Sequence, residues 1–208
     1  MRLLTTSLLL LLSVTILQGP VRAQNPLKAR TEGGKEVLLF SDGTWKYAEE
    51  KKGSGTASNV RGKPASSQTR FKTARGSFEI WVDENKWSKT TDEAGKMTFA
   101  LKTGDAYALI VSEEIAIGVA LLKEIAIGNA KKAGSDFTLL AEENRIVNGR
   151  EVGSMKFNII VQSIPFTYQG YYYGGKEGTI QVICYTAQNL FDKYERDITD
   201  FLDGLTIP

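Results

Sequence analysis

Short runs of alternating apolar and polar residues, bounded by Gly and polar turns, dominate the chain after residue 70, and they predict strands. They lie at FEIWV (78–82), MTFALK (97–102), AYALIV (106–111), DFTLLAEE (136–143), GSMKFNIIVQ (153–162), PFTYQGYYY (165–173) and TIQVICYT (179–186). Asn148-Gly149, between Ile146-Val147 and the strand that follows, is the dipeptide of a tight hairpin turn. Two segments follow a helical period instead. The first, about 113–132, has Ser112 placed to cap it, Glu113 and Glu114 in its first turn, and Lys131, Lys132 and Gly134 at its end. At 100° per residue Ile115, Val119, Leu122, Ala126 and Ala130 share one face, while Ile117, Leu121 and Ile125 fall toward the charged side. That outer apolar set is either covered by a neighbouring loop or is a docking surface. The second helix, about 187–203, carries Leu190, Tyr194, Ile198, Phe201, Leu202 and Leu205 on one stripe, and Gly204 closes it.

The N-terminal part has a different texture. An apolar run at 8–17 follows Arg2, Gly19-Pro20 breaks it, and Val21-Arg22-Ala23 supplies small or aliphatic side chains at −3 and −1 of a cleavage point. The run is too short to span about 30 Å of hydrocarbon. Residues 1–23 are therefore expected to be a signal peptide cut between Ala23 and Gln24, and no other stretch is apolar enough for a transmembrane span. EVLLFSDGTWKYA (36–48) then reads as a hairpin turning at Asp42-Gly43, a module within 24–48. A lone hairpin is marginal in water, so Trp45 and Tyr47 need a further strand, the main domain or a partner to pack on. Residues 49–70 are rich in Gly, Ser, Lys and Thr, and this composition predicts a flexible basic linker before a domain at 71–208.

Charge changes little in this picture. Removal of Arg2 and Arg22 with the leader leaves both signs at 24. Residues 49–72 carry six basic and two acidic side chains, whereas 73–208 carry 14 and 19. A mildly acidic domain gives no nucleic-acid footprint. The chemistry is narrowed more sharply. There is no His, and Cys184 is the only Cys, so no disulfide can form within the chain and Cys/His zinc sites are excluded. His-dependent nucleophilic catalysis is excluded by the same absence. Cys184 sits in an apolar run and is expected to be a small buried hydrophobe. The spacing from Gly170 to Gly175-Lys176 imitates a phosphate loop, but Glu177 stands where Ser or Thr would hold magnesium. Neither cofactor nor metal is called for. The carboxylates occur as neighbours, Asp83-Glu84, Asp92-Glu93, Glu113-Glu114 and Glu142-Glu143, without the spaced ligands of a calcium loop.

The densest cluster is aromatic. A turn at 174–178 that pairs Tyr173 with Thr179 places Thr167, Gln169, Tyr171, Tyr173, Thr179 and Gln181 on one face. Phe166, Tyr168, Tyr172, Ile180, Val182 and Cys184 then fall on the other. In that register Tyr171 and Tyr173, flanked by Gln169 and Gln181, form a wetter stacking platform for a ligand or partner.

The order of Trp87, RIVNGREV (145–152), FTYQGYYYGGKEGTIQVICYT (166–186) and a terminal helix ending FLDGL (201–205) resembles the bacterial DcrB-like and PsbP-like group. The resemblance covers about 71–208. It implies an α+β fold, an antiparallel sheet with helices packed on it as an α/β/α sandwich, in proteins that act mostly as accessory or binding subunits. It carries over no catalytic residue, and the His-based metal sites of some relatives have no counterpart here. The N-terminal hairpin looks like a small DGTW module. The reading that results is an exported protein of the bacterial periplasm or exterior, non-catalytic, binding a protein or envelope polymer. Two alternatives remain beside it: a carboxylate-dependent hydrolase of cell-wall or sugar polymers, and a structural protein of the envelope.

Overall fold

A computed structural model describes residues 27–30, 36–39, 44–47 and 59–208. The leader, the Ala23–Gln24 junction, the turn at 41–43 and residues 49–58 lie outside the described residues. The chain divides into two compact units between Gly55 and Thr56.

The first unit is a sheet of β1 (Leu27–Arg30), β2 (Glu36–Leu39) and β3 (Trp45–Tyr47) in that order. Leu39 stands opposite Trp45 and Val37 opposite Tyr47, one residue away from the register that a two-residue turn at Asp42-Gly43 sets. Leu27 pairs with Leu39 on the other edge of β2, which supplies the third strand that a hairpin needs for stability.

The second unit begins earlier than composition suggests. Residues 59–70, expected to be spacer, contain β4 (Val60–Arg61) and the start of β5 (Thr69–Lys72), with Ser67 buried between them in sequence. Polar side chains did not prevent this, because the segment is held by its backbone. Ile146 and Asn148 donate their N–H groups to the carbonyls of Asn59 and Arg61, and the Lys63 N–H reaches Asn148 Oδ1 at 2.6 Å.

Next come β6 (Glu79–Val82), β7 (Trp87–Glu93), β8 (Lys96–Leu101) and β9 (Ala106–Glu113), then α1 (Val119–Ala133). They are followed by β10 (Ser135–Val147), β11 (Arg150–Val161), β12 (Ile164–Gly175) and β13 (Gly178–Ala187). A turn of 3-10 helix leads into α2 (Phe191–Leu202), and β14 (Leu205–Thr206) ends the chain. Eight strands form one sheet in the order β4-β10-β11-β12-β13-β9-β8-β7, antiparallel except where β4 joins β10. A smaller sheet runs β14-β6-β5.

The main core lies on one face of the large sheet, under α2 and the small sheet. There Trp87 tilts against Phe201 with centroids 4.8 Å apart, and Phe99 meets both Phe71 and Phe201 edge-on. The stripe expected on α2 packs into this core: Tyr194, Ile198, Phe201, Leu202 and Leu205 are buried. Cys184 is buried here as well, and burial pushes its thiol up. α1 packs on part of the other face, and only Leu122 and Ala126 of that helix are buried. Burying a Leu stabilises by about 1.5–3 kcal/mol and an Ala by far less. Gly128 within the helix costs about 1 kcal/mol against Ala. Of the two helices, α1 is the one lightly attached.

The start of α1 departs from the sequence pattern. Ser112 and Glu113 complete β9, opposite Ile180 and Thr179 of β13, and the helix starts only after Gly118 without a side-chain cap or an acidic first turn. Pairing along a central strand outweighs a capping bond of about 1 kcal/mol.

Candidate functional site

The hairpin β12–β13 turns through Lys176-Glu177, with Gly175 opposite Gly178, rather than through five residues. Gly178 has φ +107, a conformation that suits glycine. The pairing is therefore Tyr173 with Ile180, Tyr171 with Val182 and Gln169 with Cys184, one residue away from the register read from alternation. A one-residue slip moves every β13 side chain to the opposite face. Tyr171, Tyr173 and Gln169 thus face the main core with Ile180, Val182 and Cys184, while Gln181 stands on the α1 face beside Tyr172.

The four residues consequently form no platform. Tyr171 is 0 % exposed and Gln169 is buried, with its Oε1 lacking a partner. Tyr173 is half-buried and donates to Glu177 at 2.5 Å, and Arg150 donates to the other oxygen of that carboxylate at 3.3 Å. The hydrogen bond from Tyr173, with help from Arg150, holds Glu177 below the usual carboxylate range. Tyr171 belongs to a buried polar cluster. Its hydroxyl donates to Asp203 Oδ1 at 2.8 Å and accepts from Arg145 at 3.2 Å, and Arg145 is paired in turn with Glu143. Beside it Asn148, at φ 48 in the turn between β10 and β11, donates to the carbonyls of Asp203 and Leu205 at 2.9 and 2.7 Å. This cluster joins β4, β10, β12 and the end of α2, and its role is structural.

The α1 face has more to offer a ligand. Four rings stack across four strands: Phe157 of β11 on Tyr168 of β12 at 5.1 Å, Tyr168 on Tyr185 of β13 at 5.0 Å, and Tyr185 on Tyr107 of β9 at 5.4 Å. α1 lies chiefly over β10, β11 and β12. Where it leaves the sheet it bounds a cavity of about 380 Å3. Leu109, Val111, Gln181, Ile183 and Tyr185 come from β9 and β13, and Ala126, Asn129, Ala130 and Ala133 from the helix. Tyr168 and Tyr172 line the cavity from β12.

Tyr172 is the unusual member. A side chain at Gly170, the residue beside it on this face, would meet the Tyr172 ring and its hydroxyl at 3.0 Å, so the ring lies back along its own strand over a gap that glycine leaves. The residue is 0 % exposed, yet its hydroxyl has no hydrogen-bond partner. A buried hydroxyl in that condition costs about 1–3 kcal/mol.

The cavity lining carries no carboxylate and no cation. Its ionisable groups are Tyr168, Tyr172 and Tyr185, all pushed up chiefly by burial. They are neutral phenols near pH 7 and supply no base. A second cleft, between Lys72–Thr73 and Gly76–Glu79, has Glu79 as its one acidic side chain, and Glu79 pairs with Arg70 at 3.3 Å. The two converging acids that polymer hydrolysis needs are in neither cleft. The neighbouring carboxylates instead meet cations: Asp92 with Lys89, Glu113 with Arg75, Glu142 with Lys123 and Glu143 with Arg145. Among the described residues no three acidic or sulfur ligands gather for a metal.

Sequence reasoning missed the cavity, although its wall was legible as Ala126 and Ala130 on one helical face. Leu121 and Ile125, on the side of α1 toward Asn129, are 50 % and 41 % exposed, so these two members of the outer apolar set are uncovered, while Ile117, ahead of the helix, packs against the cluster of Leu122 and Ala126.

No protein-family model and no curated protein matches the sequence. Solved structures do. The domain is similar to the cyanobacterial PsbP (CyanoP) of Synechocystis sp. PCC 6803 at 12% identity, with a TM-score of 0.51, over 76% of this chain and 99% of that one. It is also similar to LpqN, involved in cell envelope biogenesis of Mycobacterium tuberculosis, at 13% identity and TM-score 0.45 over 66% of this chain and 88% of that one. PA94, a protein of unknown function from Pseudomonas aeruginosa, is similar at 8% identity and TM-score 0.44, over 89% and 98%. The fold is PsbP-like: a large antiparallel sheet with helices packed on it and a small second sheet. The likeness is one of fold, and function has to be argued from the site.

Proposed function

We propose that this chain is an exported, non-catalytic accessory protein that binds a ligand or partner through the cavity beside α1. The observation that carries it is a cavity of about 380 Å3 lined by uncharged side chains, most of them aliphatic or aromatic. Such a lining can hold a molecule but has no group to move a proton at neutral pH. Export rests on the leader pattern at 1–23, and a domain without a disulfide relies on its core in either redox compartment.

Two measurements test this reading. Mass spectrometry of material from the exported fraction is expected to show a chain beginning at Gln24; retention of residues 1–23 overturns export with cleavage. Capture from the cell's own envelope extract is then compared between the wild type and Asn129→Trp, which puts a large ring at the exposed rim of the cavity. Loss of a retained component in the variant supports the cavity as the site, and equal retention by both chains places binding elsewhere.

A further inference from the structure

We infer that the cavity holds the hydrocarbon tail of a soluble, single-tailed molecule whose polar head stays in water at the rim. This rests on the cavity being the binding site proposed above.

The floor decides most of this. It is made by β11, β12, β13 and β9, which are neighbours in the middle of the large sheet, each paired on both edges. Their backbone N–H and C=O groups engage one another, so a ligand can hydrogen-bond only to side chains. Those on offer are mostly hydrocarbon, with Leu109, Val111 and Ile183 on the floor and three alanines on the helix wall. The polar groups are few: the amides of Asn129 and Gln181 and the tyrosine hydroxyls. A peptide would bring a donor and an acceptor with every residue, and a sugar several hydroxyls; most would be left unpaired here. A charged group inside would lose its hydration without meeting an opposite charge. A hydrocarbon needs only to leave water.

Size and rim narrow the class further. An apolar cavity of about 150 Å3 already holds a benzene ring, so about 380 Å3 has room for a chain of several carbons. Ligand sites run from roughly 300 to 1,000 Å3, and a volume at the small end suits one tail rather than two. Asn129 and Ala133 are exposed, so the cavity opens to water along α1 and a head group can remain outside. Leu121 and Ile125 continue the apolar surface beyond the rim, but the exposed Glu124 projects from the same outer side of the helix. Pressing that side into a bilayer would bury a carboxylate, so the tail comes from a molecule in solution.

Equilibrium dialysis of the exported full chain against 1-hexanol, 1-octanol and 1-decanol reads the tail directly. Each pair of added methylenes should tighten binding about tenfold. 1,8-Octanediol should bind at least about tenfold more weakly than 1-octanol, since one of its two hydroxyls must enter the apolar part. Octanoate should bind within about threefold of 1-octanol, because its head stays hydrated. Ala130→Leu fills the cavity from the helix wall and should weaken 1-octanol at least about tenfold while melting no lower than the wild type. Asn129→Trp, at the exposed rim, should weaken it as much without touching the core. Phosphatidylcholine vesicles should leave the chain in the supernatant. The inference is overturned by affinity that does not rise with chain length, by the diol binding as well as 1-octanol, or by octanoate binding more than about tenfold more weakly. Binding of 1-octanol that survives either variant, or sedimentation with the vesicles, overturns it as well. If Asn129→Trp loses an envelope component while no alkanol binds, the tail is wrong and the cavity stands. If neither assay responds to residue 129, both readings fall.

Discussion

The Tyr171 hydroxyl donates a 2.8 Å hydrogen bond to the Asp203 carboxylate and thereby ties the middle of β12 to the end of α2. Its neighbour Tyr172, equally buried on the opposite face, has a hydroxyl with no partner. The two phenols are therefore expected to answer the same small change in opposite ways. Tyr171→Phe leaves Asp203 and Arg145 short of a partner and should cost about 1–3 kcal/mol. Tyr172→Phe should leave stability unchanged or raise it. Chemical denaturation of the two variants beside the wild type checks this, and a comparable loss from Tyr172→Phe would mean that its hydroxyl is satisfied in solution.

Asp203 gives a pH dependence of definite sign. Burial holds its carboxyl above the ordinary value of 3.8, against the hydrogen bond from Tyr171 and the charges of Arg61 and Arg145. The folded chain then binds this proton more tightly than the unfolded chain does, so the contribution is fully present below 3.8 and is lost as pH rises through the folded value. The stability of the wild type minus that of Asp203→Asn should fall with rising pH across this interval and then level off. A difference that grows with pH would show that Tyr171 and the two arginines outweigh burial.

Asn148 does two jobs that substitution can separate. Its backbone takes a positive φ in the β10–β11 turn, and its side chain makes three bonds, to the Lys63 N–H and the carbonyls of Asp203 and Leu205. Asn148→Gly keeps the turn and loses the bonds, for an expected cost of about 2 kcal/mol. Asn148→Ala adds strain of roughly 1 kcal/mol more. Limited proteolysis should reveal new cleavage near residues 59–66 in both variants, and melting curves should rank them in that order.

The position of β4 and β5 makes a further prediction. A chain that starts at residue 56 should melt close to the full-length protein, since the second unit begins there. A chain that starts at residue 71 lacks β4, half of β5 and the Lys63–Asn148 bond, and should melt clearly lower or fail to accumulate. Equal melting of the two would return residues 59–70 to the role of a spacer.

The elements of the fold were legible in the sequence and their junctions were not. All seven strands read from local pattern are present, and α2 buries its stripe because an amphipathic period states its own orientation. Alternation failed in the β12–β13 hairpin for a physical reason. The α2 side of those strands is so fully packed that Thr167, Gln169 and Thr186 lie buried there among apolar neighbours, and polarity no longer marks the wet side. β7 escaped notice because WSKTTDE is an edge strand with Trp87 alone buried. Residues 59–70 escaped because backbone pairing to β10 and β6 leaves no trace in side-chain composition. The cavity depends on how far α1 reaches across the sheet, and no local pattern encodes that distance.

β14 is made of Leu205 and Thr206, pairs with β6, and contributes a fully buried Leu205 to the main core. Leu205 thus helps to close the core, and the strand it pairs with lies more than a hundred residues earlier in the sequence. Native structure in this domain has to wait until both β6 and β14 have been made, as non-local pairings slow folding. For a protein exported as proposed here, the delay is an advantage of timing: the domain stays threadable until β14 is available to pair.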